Sequence, residues 1–262
     1  GKGGESLVVR YVDDFLCVSE NKEEVEEFLT KMTHGDGELG AVVNQDKTVS
    51  SFETPLSSKV VKVEEGEAFP FAGYLFDTQT METRTDFSRF DGRKAIDGLT
   101  VERCNKPGLA IITKIKTFVR PRIEELTVST IINSRERVRA NVYENFLLAG
   151  VKTVGYVEGM GGGVQSNAVF VRDCVVDLFS YVHSLIQKRV QGQKKKSLSK
   201  EEVFFLGYRA FVKVLRLKVK RGGGTWRELL AMMEEGGRGV VVKNEKDCID
   251  GVRRGDKEFR VE

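Results

Sequence analysis

The 262-residue sequence has no apolar run of the about 18 residues that a membrane-spanning helix needs, so no segment is expected to cross a bilayer. Its first residues, Gly1-Lys2-Gly3-Gly4-Glu5, lack the apolar stretch of a secretory signal. Cysteine is scarce. Cys17, Cys104, Cys174 and Cys248 lie far apart, with neither metal-ligand spacing nor the pattern of a disulfide framework. They read as reduced thiols of an intracellular protein. The two histidines, His34 and His183, have no ligand partners at useful spacing. The length suits one large domain or two modest ones, each with its own core.

What the sequence does have is charge, unevenly spread. Gly1 to Asp86 holds 8 Lys/Arg against 18 Asp/Glu, a net −10, and the remainder 34 against 21, a net +13. The overall +3 conceals that split. An acidic catalytic part joined to a basic part that meets polyanions would give this asymmetry, and so would simple drift of surface charge between two domains.

The first third reads as strands around one helix. Ser6 to Val12 and Phe15 to Ser19 are short runs of β-branched and aromatic residues separated by Asp13-Asp14, the pattern of a hairpin with a two-residue turn. Val25, Phe28, Leu29 and Met32 repeat at helical spacing over Asn21 to Met32, with Asn21 as N-cap, Glu24 placed for a capping box, and Gly35 and Gly37 as a stop. Further strands are expected at Ala41 to Val43, Thr48 to Phe52, Lys59 to Val63 and Phe69 to Phe76, with a turn at Asp77 to Thr80 and a return strand over Met81 to Phe87. From about Gly108 the period becomes helical. Val164, Ala168, Val171, Val175, Leu178, Val182 and Leu185 hold one face, and Val203, Leu206, Ala210, Phe211, Val214 and Leu217 hold another after a linker at Gln191 to Ser199. Gly159 to Gly163 is expected to be a loop, Arg221 to Gly224 a helix break, and Val240 to Val242 a short strand in a charged tail. The fold class is α+β, divided near residues 87–108.

Asp13 and Asp14 carry the sharpest chemistry. Adjacent carboxylates repel one another, and apolar flanks such as Val12, Phe15 and Leu16 are expected to limit their solvation, an arrangement that a cation would relieve. Hard oxygen donors suit Mg²⁺, which takes one or two carboxylates and completes its shell with water and phosphate oxygens. The plain alternative is a solvated Asp-Asp turn.

The neighbours of that pair give it a family. Ser6 to Ser19, SLVVRYVDDFLCVS, resembles motif C of reverse transcriptases, and its VDDFL form followed by an acidic helix looks like telomerase reverse transcriptase. Gly40 to Phe52, GAVVNQDKTVSSF, resembles motif D, with Asn44, Lys47 and Thr48 in the Asn-x-x-Lys-Thr core. Phe69 to Thr80, FPFAGYLFDTQT, resembles motif E, the primer grip, with Phe71, Ala72 and Gly73 in the gripping turn. The resemblance covers about the first hundred residues by motif. It implies part of a reverse-transcriptase palm over 1–90 and a helical thumb, or C-terminal extension, over 91–262. The implied activity is RNA-directed DNA polymerisation at telomeres in the nucleus, by two-metal phosphoryl transfer with Mg²⁺. Asp13 and Asp14 would be catalytic metal ligands, and Lys47 would assist the leaving pyrophosphate. Tyr11, Asn44 and Lys47 would meet the nucleotide, and Arg93, Lys94, Leu99 and Thr100 the primer–template duplex. The implied partners are telomerase RNA, a telomeric DNA primer, its duplex with RNA, the deoxynucleotide, and the fingers and RNA-binding domain of the catalytic subunit.

Other residues invite weaker readings. Lys114, Lys116, Arg120 and Arg122 are candidates for a second basic face, as are Arg135, Arg137 and Arg139, although charge runs on helices are usually solvated. Lys188-Arg189 and Lys194 to Lys196 read as a solvated loop, and Trp226 as a core anchor. Only ten residues precede Tyr11, and the motif A aspartate that would complete the metal site is not among them. The chain alone is therefore expected to be inactive. A retroelement or group II intron reverse transcriptase shares the aspartates, a basic module could grip duplex without catalysis, and a degenerate polymerase fold could serve as a scaffold.

Overall fold

The computed structural model describes residues 6–35, 43–54, 60–64, 66–88, 95–101, 106–161, 167–193 and 197–259. They form two compact units, Gly1–Met81 and Glu82–Glu262. The class is α+β, with a helix-rich second unit. Among the described residues no helix is long and apolar enough to cross a membrane.

In the first unit, β1 (Ser6–Tyr11) and β2 (Asp14–Ser19) pair antiparallel from Ser6↔Ser19 to Tyr11↔Asp14. The two-residue turn is therefore Val12-Asp13, one position earlier than the Asp13-Asp14 turn expected. The open end explains the register. The Glu24 carboxylate of α1 (Lys22–His34) accepts from Ser6 Oγ at 2.7 Å and Ser19 Oγ at 2.9 Å, which ties these two residues opposite each other. Asn21 caps α1 as expected, accepting from Glu23 N, but its own N–H donates to Ser19 Oγ, so the expected capping box does not form. Gly35 closes the helix through Lys31 O.

Short strands β3 (Val49–Ser50) and β4 (Val61–Lys62) pair in parallel. The run 69–76 is no single strand. It folds back on itself as β5 (Ala68–Phe71) and β6 (Tyr74–Asp77), because Ala72 and Gly73 both take positive φ, 50° and 83°, as the tight turn of a hairpin requires. Asp77 Oδ1 then accepts from Gln79 N and Thr80 N, making the expected turn. Ala41, Val42 and Lys59 lie outside the described residues.

The second unit begins with β7 (Thr83–Thr85) and continues through helices α2 (Pro107–Val119), α3 (Glu125–Val128), α4 (Arg135–Met160), α5 (Ala168–Arg189), α6 (Lys200–Lys220), α7 (Arg227–Arg238) and α8 (Glu245–Glu258). The division at 81/82 falls before the expected one near residue 90. Asn133 and Asn141 account for this, since β7 is bonded to the helical unit: Thr83 N donates to Asn133 Oδ1, and Asn141 Nδ2 to Thr83 O.

Helix α4 is the axis, buried on every side from Arg137 to Gly150, and it packs against α2, α6 and α8. At the core Phe179 meets Phe146, Phe204, Tyr208 and Phe211 edge to face, with centroids 5.1–5.7 Å apart. The stripes expected on α5 and α6 are buried as read, except Leu185, which is partly buried, and Leu217, which is exposed; Val164 lies outside the described residues. Ser199 caps α6 in a reciprocal box with Glu202, and the glycines after Lys220 break it as expected. Two expectations fail. Gly159 sits inside α4, where Val101 packs so close that an added Cβ would lie 2.7 Å from it, and 240–242 form no strand. The charged tail instead folds as α8, whose Gly251 and Gly255 let it lie on Arg139 and Tyr143 of α4.

Candidate active site

The first unit holds three pieces of the candidate site. At the β1–β2 tip, Val12 takes φ 55°, a left-handed conformation that costs a β-branched residue about 1–2 kcal/mol. Arg10 braces the turn: its Nε donates to Val12 O at 2.8 Å and its guanidinium lies 5.4 Å from the centroid of its cross-strand partner Phe15. Asp13 projects from the turn and Asp14 from the first position of β2, opposite Tyr11. All three are exposed, as are Val12 (71%) and Phe15 (41%). The apolar flanks therefore do not desolvate the carboxylates within this chain. What holds the pair at the tip is register and strain.

Two adjacent exposed carboxylates offer hard oxygens with room for waters and phosphate oxygens, and that donor set fits Mg²⁺. It is also incomplete: among the described residues no group of three His, Cys, Asp or Glu is placed to hold a metal ion.

The second piece is a single 3-10 turn at Gln45–Lys47. Asn44 Oδ1 accepts from Asp46 N, and Asn44 O accepts from both Lys47 N and Thr48 Oγ1. Asn44 and Thr48 thus bracket the turn that presents Lys47 to solvent. The third piece is the Phe71-Ala72-Gly73 turn, where nothing lies within 4 Å of the space a Cβ would take at Gly73. Backbone is open to approach there. Sequence reading missed two supports, Arg10 and Glu24. The serines at matching ends of the two strands were the available signal for Glu24, whose carboxyl the Ser6 and then the Ser19 hydroxyl hold below its usual range.

The remaining candidates belong to the second unit. Arg93 and Lys94 lie outside the described residues. Leu99 is partly buried against α4, near Gly155, whereas Thr100 is exposed. Arg137 and Arg139 are no surface cluster. Arg137 is held bidentately by Glu258, and Arg139 donates to Glu202 at 2.8 Å, which also takes Arg135 at 2.6 Å. Burial works against the charge on Glu202, but bonds from Arg135, Ser199 and Arg139 outweigh it and keep the carboxyl below its usual range. Arg189 pairs with Glu124, and Trp226 is buried, donating from Nε1 to Glu158.

Residues 110–232 match the family described as telomerase reverse transcriptase, C-terminal extension. The chain is similar to the telomerase reverse transcriptase of rice, 26% identical over 94% of this chain and 20% of that protein. It is 27% identical to that of Arabidopsis thaliana over 82% of this chain, and 27% identical to that of mouse over 79%. It spans about a fifth of the length of these relatives. The matched helices, and relatives of one name along most of its length, make the chain similar to telomerase reverse transcriptases in the region of their C-terminal extension.

Proposed function

We propose that the chain is part of an RNA-templated DNA polymerase that adds deoxynucleotides to a DNA 3′ end at chromosome ends in the nucleus. The observation that carries this is the β1–β2 tip, where a strained, Arg10-braced turn presents Asp13 and Asp14 together. The tight turn requires positive φ at Val12, and keeping a β-branched residue in that disfavoured conformation at an exposed tip favours a functional reading.

In this reading the first unit is the end of a palm and the second a thumb. Asp13 and Asp14 bind Mg²⁺ through their exposed carboxylates, and an aspartate outside this chain completes the site. Bound, the cations lower the charge barrier to attack of the primer 3′-hydroxyl and to departure of pyrophosphate. Lys47 neutralises the leaving group and gives it a proton. Asn44 and Thr48 hold the turn that carries Lys47, and Tyr11 lines the nucleotide site beside Asp14. Phe71, Ala72 and Gly73 seat the primer end. Arg93, Lys94, Leu99 and Thr100 belong to the face that meets the primer's duplex with telomerase RNA. The rest of the catalytic subunit supplies fingers and RNA-binding domain.

The isolated chain is expected to show no Mg²⁺-dependent primer extension; synthesis by the purified chain would overturn the half-site reading. In the complete catalytic subunit, Asp13→Ala abolishes extension and spares primer binding. A second reading, a basic helical module that grips duplex without catalysis, draws on the charge split alone. Duplex binding by the chain that survives Asp13→Ala, together with extension by the complete subunit that also survives it, would favour that reading.

A further inference from the structure

The residues of the β1–β2 turn favour a different turn from the one they form. A two-residue hairpin turn has two common forms, one with positive φ at both central residues and one with positive φ at the first alone. Val12 alone of the two takes positive φ here, at 55°, so the turn is of the second form. That form prefers glycine at its first position, where a side chain is strained and a β-branched one most of all. The first form would suit Asp13, since aspartate accepts a left-handed backbone. The two forms differ in the direction of one peptide, Val12–Asp13, which turns over between them.

Arg10 accounts for the form observed. Val12 O belongs to that peptide, and Arg10 Nε donates to it at 2.8 Å. The guanidinium is held in turn against the ring of Phe15, its partner across the hairpin, 5.4 Å from the centroid. Turning the peptide over would carry Val12 O away and bring the N–H of Asp13 round to face a donor. One bond from a charged donor thus opposes the local preference of the turn. The Cα of Asp13 is attached to this peptide, so its carboxylate takes its direction from it.

We propose that Arg10 is a positioning residue for Asp13, selecting the turn that aims its carboxylate. That the aim serves a metal ion rests on the polymerase reading above. The amide protons of Val12 and Asp13 lie apart in the observed form and side by side in the other. Their nuclear Overhauser cross-peak in the isotope-labelled 262-residue chain therefore reads the form directly. It is expected to be weak in the parent, strong in Arg10→Met, and weak again in Arg10→Met/Val12→Gly. In the complete subunit with its RNA, Arg10→Met should lower kcat about tenfold at unchanged primer affinity, the factor by which one charged hydrogen bond weights two forms. The same change made in a Val12→Gly subunit should cost less than about twofold, because glycine takes the observed form unaided. An arginine that acted by touching nucleic acid would cost the same in both backgrounds. A weak cross-peak in Arg10→Met, loss of the Tyr11–Asp14 pairing in place of a turned peptide, or equal losses of extension in the two backgrounds overturns the proposal. Extension that survives Asp13→Ala in the complete subunit would remove the polymerase reading and leave the cross-peak result standing.

Discussion

Replacing Gly207 by alanine inserts one methyl group where the helical unit has least room for it. A Cβ there would lie 2.5, 2.6 and 2.8 Å from three atoms of the Phe179 ring. That ring is fully buried and enclosed by Phe146, Phe204, Tyr208 and Phe211. It cannot turn aside without displacing another aromatic. Overpacking of this kind costs about 1–3 kcal/mol, and with three ring atoms involved the upper end applies. Alanine in a helix interior returns about 1 kcal/mol relative to glycine. The net is a loss of about 2 kcal/mol, or a melting point lower by about 4–8 °C for a unit of this size. Far-ultraviolet circular dichroism, dominated by the helical unit, reads it. Gly224→Ala is the control, since nothing lies within 4 Å of its added Cβ, and it should melt like the parent or slightly higher. A Gly207→Ala melting point equal to the control's would refute the packing argument.

Other expected outcomes follow from the buried charges of α4. Glu202→Gln leaves Arg139, 4% exposed, with Asp247 at 3.8 Å as its acidic partner among the described residues, and should cost about 3–5 kcal/mol in urea unfolding, against under about 1 kcal/mol for the exposed pair broken by Glu27→Gln. Burial, and then Glu258, push the fully buried Glu144 carboxyl well above its usual range. Its proton is held by the folded unit and released on unfolding, so that stability is present below pH 4.5 and lost as pH rises towards the raised folded value. Glu82, Glu202 and Glu258, held low in the fold, lose their contribution only as pH falls below the same point. Urea midpoints at pH 5 and pH 8 should therefore fall less for Glu144→Gln than for the parent, and an equal fall would contradict the assignment.

Much of this fold was legible where one face alone is buried. Helices α5 and α6 announce themselves through stripes such as Val171-Val175-Leu178-Val182, and the Ser6–Ser19 segment through its β-branched runs. Helix α4 has no comparable stripe, because it is buried all round and fills that burial with Arg137, Arg139, Asn141, Glu144 and Asn145, each matched or faced by another element. Helix α8 was hidden for the opposite reason. Its glycines and charges argue against a helix in isolation, and packing of Gly251 and Gly255 on α4 forms it. At the tip, the residue types were readable but the register was not, since the bond from Ser6 to Glu24 spans 18 positions. Likewise, the ion pairs that convert Arg137 and Arg139 from surface charge to core cross-links reach Glu258 and Glu202, far along the chain.

In the proposed function the Asp13-Asp14 tip is half of a polymerase metal site. Its most direct test is Mg²⁺-dependent primer extension by the complete catalytic subunit with its RNA, comparing parent and Asp13→Ala, with primer affinity measured on the same preparations. Extension is expected to be lost and primer affinity retained. Extension at the parent rate by Asp13→Ala would contradict it.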